Sequence, residues 1–332
     1  MLLGTAGGPL PSTVRSGIAH AVVVGGRTYL VDCGTGVAGQ LRRARLLSGL
    51  HQVFLTHLHS DHVCDYFNLF LLGWPILQWN PAVAVFGPGP AGALPADDPG
   101  HPCPVLVPDQ PAPGLVALTD AQIRSHAYDL NVRMREAGRR DLTPLITPTE
   151  IPIPIDSGPV PDQVAPDMEP FVVTEDDRLR VTATLVQHAP VFPAFAFRFD
   201  TDAGSVVISG DTAPCRNLVR LARAADVLVH EVYDDDVMGL ASPSPLGDDG
   251  DQDEDAADEA WEAARREHHL RTAHTGLSEI GLVAAGAEAR RLVLTHFIPG
   301  DDLLPDEHWH KGLSGSFDGE VVVGRDLLEL RL

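Results

Sequence analysis

The stretch Val53-Phe54-Leu55-Thr56-His57-Leu58-His59-Ser60-Asp61-His62 decides how the chain is read. Its first four residues form a short apolar run of the kind that makes a buried strand, and they deliver the backbone into three histidines and an aspartate within six residues. On an extended segment His57 and His59 point to the same side, so both imidazoles reach one ion. Asp61 and His62, just past the turn, then address a neighbouring ion. Zinc accepts histidine nitrogen and carboxylate oxygen, and a catalytic site leaves one position open for water. A loop that is His-rich by chance does not account for this density directly after a strand.

Outward from that stretch the chain alternates strands, turns and helices. Upstream, Leu2-Leu3 enters a Gly-rich turn, and Ala21–Val24 and Thr28–Asp32 flank Gly25-Gly26, a hairpin signal. A helix is expected over about 37–47. Downstream, within residues 75–170, fifteen of the 28 prolines lie between Pro95 and Pro170, which forbids long regular elements over most of that stretch. The apolar run Ala82–Phe86 and the helical pattern Asp120–Glu136 nevertheless make it an ordered insertion that covers a site, within a single domain spanning 1–332. Strands resume over 180–187, 194–199, 205–209 and 227–229, with a helix over 218–224. Residues 247–259 carry eight acids and no base, the composition of a solvated loop. Helices over 256–273 and 277–289, a strand at 292–294 and a late strand at 320–324 complete an α/β pattern.

Three further strands end in a residue that can bind metal. His188 follows Val186-Gln187, Asp211 follows Val206-Val207-Ile208 and His296 follows Leu292-Val293-Leu294. Taken singly, His188 is as readily a core histidine and Asp211 as readily a helix N-cap. Taken together they match the way α/β sheets assemble sites at strand carboxyl ends. Fifteen histidines against four cysteines favour imidazole and carboxylate ligands.

Composition limits the partners. With 24 Lys and Arg against 46 Asp and Glu, the formal net charge is −22, a poor start for a general nucleic-acid binder. Cys33, Cys64, Cys103 and Cys215 form no CxxC pair, so neither a disulfide framework nor a thiolate zinc site is indicated, and a reduced, cytoplasmic setting is expected. No apolar run reaches membrane-spanning length and no signal-peptide pattern is visible, so no membrane partner is expected.

An HxHxDH cluster after a strand resembles the signature of the metallo-β-lactamase superfamily, and later segments resemble its ribonuclease Z-like branch. Val186-Gln187-His188 is similar to the third motif, implying that His188 joins His57 and His59 on a first ion. Ser209-Gly210-Asp211-Thr212 is similar to the motif whose aspartate bridges two ions. Leu294-Thr295-His296-Phe297 is similar to the final motif, implying that His296 joins Asp61 and His62 on the second ion. His230-Glu231 and His274-Thr275 look like that branch's accessory pair, implying that His274, oriented by Glu231, gives a proton to the leaving group, while Asp61 also orients the nucleophile. The resemblance implies a four-layer αβ/βα sandwich of two facing mixed sheets, holding two zinc ions, with manganese or iron as alternatives.

Such a pair of ions activates a bridging hydroxide toward an ester. The expected substrate is a small-molecule ester (a phosphodiester, sulfate ester or lactone, as in arylsulfatase-like and phosphodiesterase-like members), and the alternative is tRNA 3′-end endonuclease activity. Two departures weigh against the nuclease. Only 23 positions separate His188 from Asp211, so the basic arm usual there is missing, and Phe297-Ile298-Pro299-Gly300-Asp301-Asp302 replaces a Ser- and Arg-containing continuation. A true zinc β-lactamase would place a cysteine near Asp211, and Cys215 stands four residues too late. A redox diiron relative would carry Glu in place of His59. Non-catalytic metal binding fits poorly with all seven ligands present. A homodimer is compatible with the sequence. His268, His269, His308 and His310 read as surface residues; His20, His51, His101 and His126 receive no role.

Overall fold

The computed structural model describes residues 1–96, 101–154, 163–235, 252–301 and 304–332, and of residues 252–260 it describes the backbone alone. Two mixed sheets face each other. The first runs in the order β1 (Leu2–Gly4), β2 (Ala19–Val24), β3 (Arg27–Val31), β4 (Leu50–Phe54), β5 (Val83–Gly87), β6 (Ile146–Glu150), antiparallel as far as β3 and parallel from there. The second contains β7 (Phe171–Glu175), β8 (Leu179–Leu185), β9 (Phe195–Thr201), β10 (Gly204–Ile208), β11 (Val227–Tyr233), β12 (Arg291–Ile298) and β13 (Glu320–Val323). Its order is the reverse of sequence, β13 to β7, with the pairs from β10 to β13 parallel and the rest antiparallel.

The period-two alternation of strand side chains builds the layers. In β3, Tyr29 and Val31 face the opposite sheet, while Leu30 faces the helices α1 (Val37–Arg43) and α3 (Tyr66–Leu77). In β4, Phe54 enters the space between the sheets and Val53 turns outward. The second sheet mirrors this. Val227, Val229 and Val293 point inward, whereas Leu228, Leu292 and Leu294 pack under α6 (Arg216–Leu221), α8 (Leu277–Gly286) and α9 (Asp306–Gly312). Phe54 lies 5.3–5.4 Å from the rings of Phe86, Phe197 and Phe199, which ties the sheets together at the centre. The result is the expected αβ/βα sandwich of two mixed sheets.

Two stretches differ from the sequence expectation. The proline-rich residues 75–170 supply β5 and β6 to the first sheet, and Pro148 is accommodated because β6 lies at the sheet edge, where a missing N–H costs no ladder bond. Between them lie α4 (Leu115–Ser125) and α5 (Ala127–Glu136). Within the acidic run, helix α7 (Gln252–Ala273) begins early enough to include 252–259, where alanine and glutamate favour helix; 247–251 lie outside the described residues. Among the described residues no helix is long and apolar enough to cross a membrane.

Candidate metal centre

The ligands expected from the sequence come from turns after strands, from one short helix and from a bulge within a strand. β4 delivers His57 and His59, and the short helix α2 (Ser60–Val63) places Asp61 and His62 in its single turn. His188 follows β8, Asp211 follows β10, Glu231 sits within β11 and His296 within β12. His296 has φ 45° and stands opposite a register break, where Thr295 pairs with Glu231 and Phe297 with Val232. It is thus the extra residue of a bulge, which re-aims its ring into the site.

The side chains converge in two adjoining groups. His57, His59, His188 and Asp211 each offer a donor atom within 4.8 Å of the others, and so do Asp61, His62, Asp211 and His296. In the first group, His188 Nε2 lies 3.1 Å from His59 Nδ1, and Asp211 Oδ2 lies 3.9 Å from His57 Nε2. In the second, His62 Nε2 is 3.3 Å from His296 Nε2 and 3.3 Å from Asp211 Oδ2, and His296 Nε2 is 3.4 Å from Asp61 Oδ2. Asp211 is common to both groups.

These donors fit divalent cations. His57 Nε2 and Asp211 Oδ1 are buried without a hydrogen-bond partner, a costly arrangement for polar atoms unless something else binds them. Burial keeps the His57 and His188 imidazoles well below their ordinary pKa, so they stay in the neutral form that binds metal. Burial alone would raise the Asp211 carboxyl, but the facing His296 and His62 hold it well below the usual range. The rings are also fixed from behind. His188 Nδ1 donates to the Ala273 carbonyl at 2.9 Å, and His62 Nδ1 donates to Asp32 Oδ2 at 2.9 Å, which turns each Nε2 toward the site.

Glu231 and His274 meet beside the second group. His274 Nδ1 lies 2.6 Å from Glu231 Oε2, and the Thr212 amide donates to Glu231 Oε1. Burial and then the Asp211 carboxylate push Glu231 up, while burial pushes His274 down. His230 points to the opposite face of β11, where Nδ1 donates to the Glu231 carbonyl, and it takes no part in either group.

Several residues at the site carry no local sequence signal. Asp32, at φ 61°, accepts from the Thr56 amide and hydroxyl as well as from His62. Gly8 packs so tightly on Asp61 that a Cβ there would lie 2.3 Å from its carboxylate. His269, read from sequence as a surface residue, is half-buried with its ring 5.2 Å from that of His274. Its place depends on where α7 packs, which local composition does not encode.

The metallo-beta-lactamase superfamily model matches residues 14–273. Ribonuclease Z of Mycobacterium bovis (strain BCG / Pasteur 1173P2) is 30% identical over 331 residues, covering 98% of this chain and 95% of its own length. Ribonuclease Z of Mycobacterium avium (strain 104) is likewise 30% identical over 330 residues, with 98% and 95% covered. Among solved structures, the short form of human tRNase Z superposes with a TM-score of 0.59 at 21% identity, covering 99% of this chain and 96% of that one. The metallo-beta-lactamase fold protein YhfI of Bacillus subtilis gives 0.57 at 18%, with 98% and 95% covered. At these identities the two structures speak for the fold.

Proposed function

Because the chain belongs to the metallo-beta-lactamase superfamily, we propose that it cleaves RNA phosphodiesters as a ribonuclease Z-type tRNA 3′-end endonuclease. The observation that carries this reading is the end-to-end similarity to mycobacterial ribonuclease Z, 30% identity with 98% of this chain covered. It outweighs the charge and arm arguments that favour a small ester from sequence alone.

In this reading His57, His59, His188 and Asp211 hold one divalent ion, and Asp61, His62, Asp211 and His296 hold the second. Zinc is the ion that such histidine and carboxylate donors take most readily, with manganese or iron as the alternatives. When bound, the ions lower the pKa of a water to about 7 and offset negative charge on the phosphoryl oxygens. Asp61 is the least buried of the carboxylates around the cluster and orients the attacking water. Glu231 holds His274 through Nδ1, leaving Nε2 to carry a proton to the departing ribose oxygen. The buried Thr212, bonded to Glu231 through its amide and accepting from Thr275 through its carbonyl, fixes that pair.

One observation favours the small-ester reading. Between His188 and Asp211 the chain forms only the β9–β10 hairpin and its flanking turns, leaving no segment that reaches out toward a large substrate. The deciding experiment is cleavage of a 3′-extended precursor tRNA by zinc-loaded protein, with Asp211→Ala as control. Cutting after the discriminator nucleotide, lost in the variant, supports the nuclease. Absence of cutting by protein that holds about two ions per chain, as a binuclear site requires, retires it in favour of phosphodiesters, sulfate esters or lactones of small molecules.

A further inference from the structure

A row of side chains leads out of the site along α7 and has no part in the chemistry described above. Trp261, Arg265 and His269 are spaced i, i+4 and i+8, so they follow one side of the helix and span about 12 Å along its axis. At the inner end, the half-buried His269 ring meets His274 edge-on at 5.2 Å and lies 5.9 Å from His188. One of its nitrogens is anchored on the Ala189 carbonyl. In the middle, the exposed Arg265 guanidinium lies 4.9 Å from the Trp261 ring centroid. At the outer end, Trp261 stacks on His101 of the proline-rich segment, with centroids 4.0 Å apart and planes inclined by 26°. Among residues 261–273 of this helix, the acids Glu262 and Glu267 lie off the row, and Glu267 is bonded to Arg271.

We propose that this row is a track for a single-stranded stretch of RNA adjoining the scissile bond, with bases stacking on the Trp261, His101 and His269 rings and a phosphate meeting Arg265. The proposal rests on the ribonuclease reading and supplies what the missing arm does not. Every base offers a π-face, so aromatic platforms hold single strands without reading sequence, and a guanidinium recognises both phosphate and ring faces. If its bases keep the roughly 3.4 Å spacing of one strand of a duplex, a strand fits about three or four nucleotides into 12 Å. A compact ester has no atoms that reach the outer end. The row begins beside His274, where the reading above puts bond breaking, so an occupant of the site passes directly onto it.

The test is binding of phosphorothioate-linked oligouridylates of two to eight nucleotides, followed by fluorescence anisotropy, to zinc-loaded wild type, Trp261→Ala, Trp261→Phe and Arg265→Gln. Wild-type affinity is expected to rise with length to about four nucleotides and then level off. Trp261→Ala should weaken binding of the tetramer roughly 5- to 100-fold and flatten the length dependence, while Trp261→Phe retains most of it. Arg265→Gln should lower the salt dependence of tetramer binding. An unchanged length dependence in Trp261→Ala overturns the proposal. So does an equal loss at all lengths with a lowered melting temperature, which marks the Trp261–His101 stack as an internal clasp. The two readings fail separately. Protein that binds oligouridylates through Trp261 but leaves precursor tRNA uncut loses the ribonuclease Z assignment and keeps the track; protein that cuts precursor tRNA with no Trp261-dependent increment loses the track alone.

Discussion

Asp32→Asn should strip one ion from the pair while sparing the fold. Asp32 is buried, and its carboxylate accepts from the Thr56 amide at 2.8 Å, from the Thr56 hydroxyl at 2.9 and 3.1 Å, and from His62 Nδ1 at 2.9 Å. Asparagine has the same shape and keeps one oxygen for Thr56, but it presents an amide N–H₂ to His62 where an acceptor stood. His62 then either loses that bond or takes the other tautomer. In that tautomer the proton sits on Nε2, the nitrogen that faces His296 and Asp211. Both outcomes weaken His62 as a ligand. Removing such an outer partner typically costs 10- to 100-fold in metal affinity, or about 1.4–2.8 kcal/mol. The loss should fall on the group of Asp61, His62, Asp211 and His296, because the donor nitrogens and oxygens of the other group do not touch Asp32. Competition with a chromophoric zinc chelator reads the two affinities separately, and thermal melting reports on the fold. The reasoning is refuted if the variant holds both ions as tightly as wild type, or if both affinities fall together.

Three further outcomes are expected. Gly8→Ala should displace Asp61, since the added Cβ would sit 2.3–2.4 Å from its side-chain atoms; activity should drop at least tenfold with little change in melting temperature, and normal turnover would show that Asp61 is not held by this contact. Phe54→Ala removes the ring that joins both sheets and should cost about 3–5 kcal/mol in urea unfolding; a cost under about 1 kcal/mol would mean that the sheets are not held together there. His20 is buried with Nε2 at 3.0 Å from the Thr295 hydroxyl, and burial lowers its pKa from 6.5 to about 3. Because the folded value is depressed, the neutral ring contributes stability above pH 6.5 that is lost as pH falls toward 3. The slope is about 1.4 kcal/mol per pH unit and the total at most about 5 kcal/mol. His20→Gln should therefore show a shallower loss of stability between pH 6 and 4 in urea titrations, and equal slopes would mean that His20 is protonated in the folded protein.

The sandwich was legible in the sequence because it is built from strands, and the positions of His57, His59, His188 and Asp211 were legible because each lies in the turn after a strand. A strand of alternating or continuous apolar residues is a local signal, and the side chain at its carboxyl end is placed by that strand alone. What escaped notice depends on contacts between distant segments. Asp32 ends β3 and looks like any acid after a hairpin, yet its value lies in meeting His62 thirty residues later. His269 sits in a run of charged and polar residues on α7, and only the packing of that helix against Ala189 and His274 brings it to the site. Pro148 belongs to the proline-rich stretch whose composition disfavours regular elements, but the edge position that tolerates it is a property of sheet order. His230 and Glu231 are adjacent in sequence and belong to opposite faces of the sheet, so one is at the site and the other is not.

Under the ribonuclease reading, net charge is a weak guide to substrate, for a physical reason. A value of −22 is a sum over the whole chain, whereas affinity for a nucleic-acid backbone is built contact by contact, each cation releasing its own counterion. A strand leaving the site along α7 feels the charges within a screening length of about 8–10 Å at physiological ionic strength, Arg265 and Arg266 among them, rather than the sum over the chain. The same argument predicts a distinctive salt dependence. A substrate held by one or two phosphate contacts and by stacking should lose affinity with a log–log slope of about −0.7 to −1.4, since each single-strand contact contributes about −0.7. A slope near −5 would require an extended basic surface, and the stacking account would then have to give way to one built on charge.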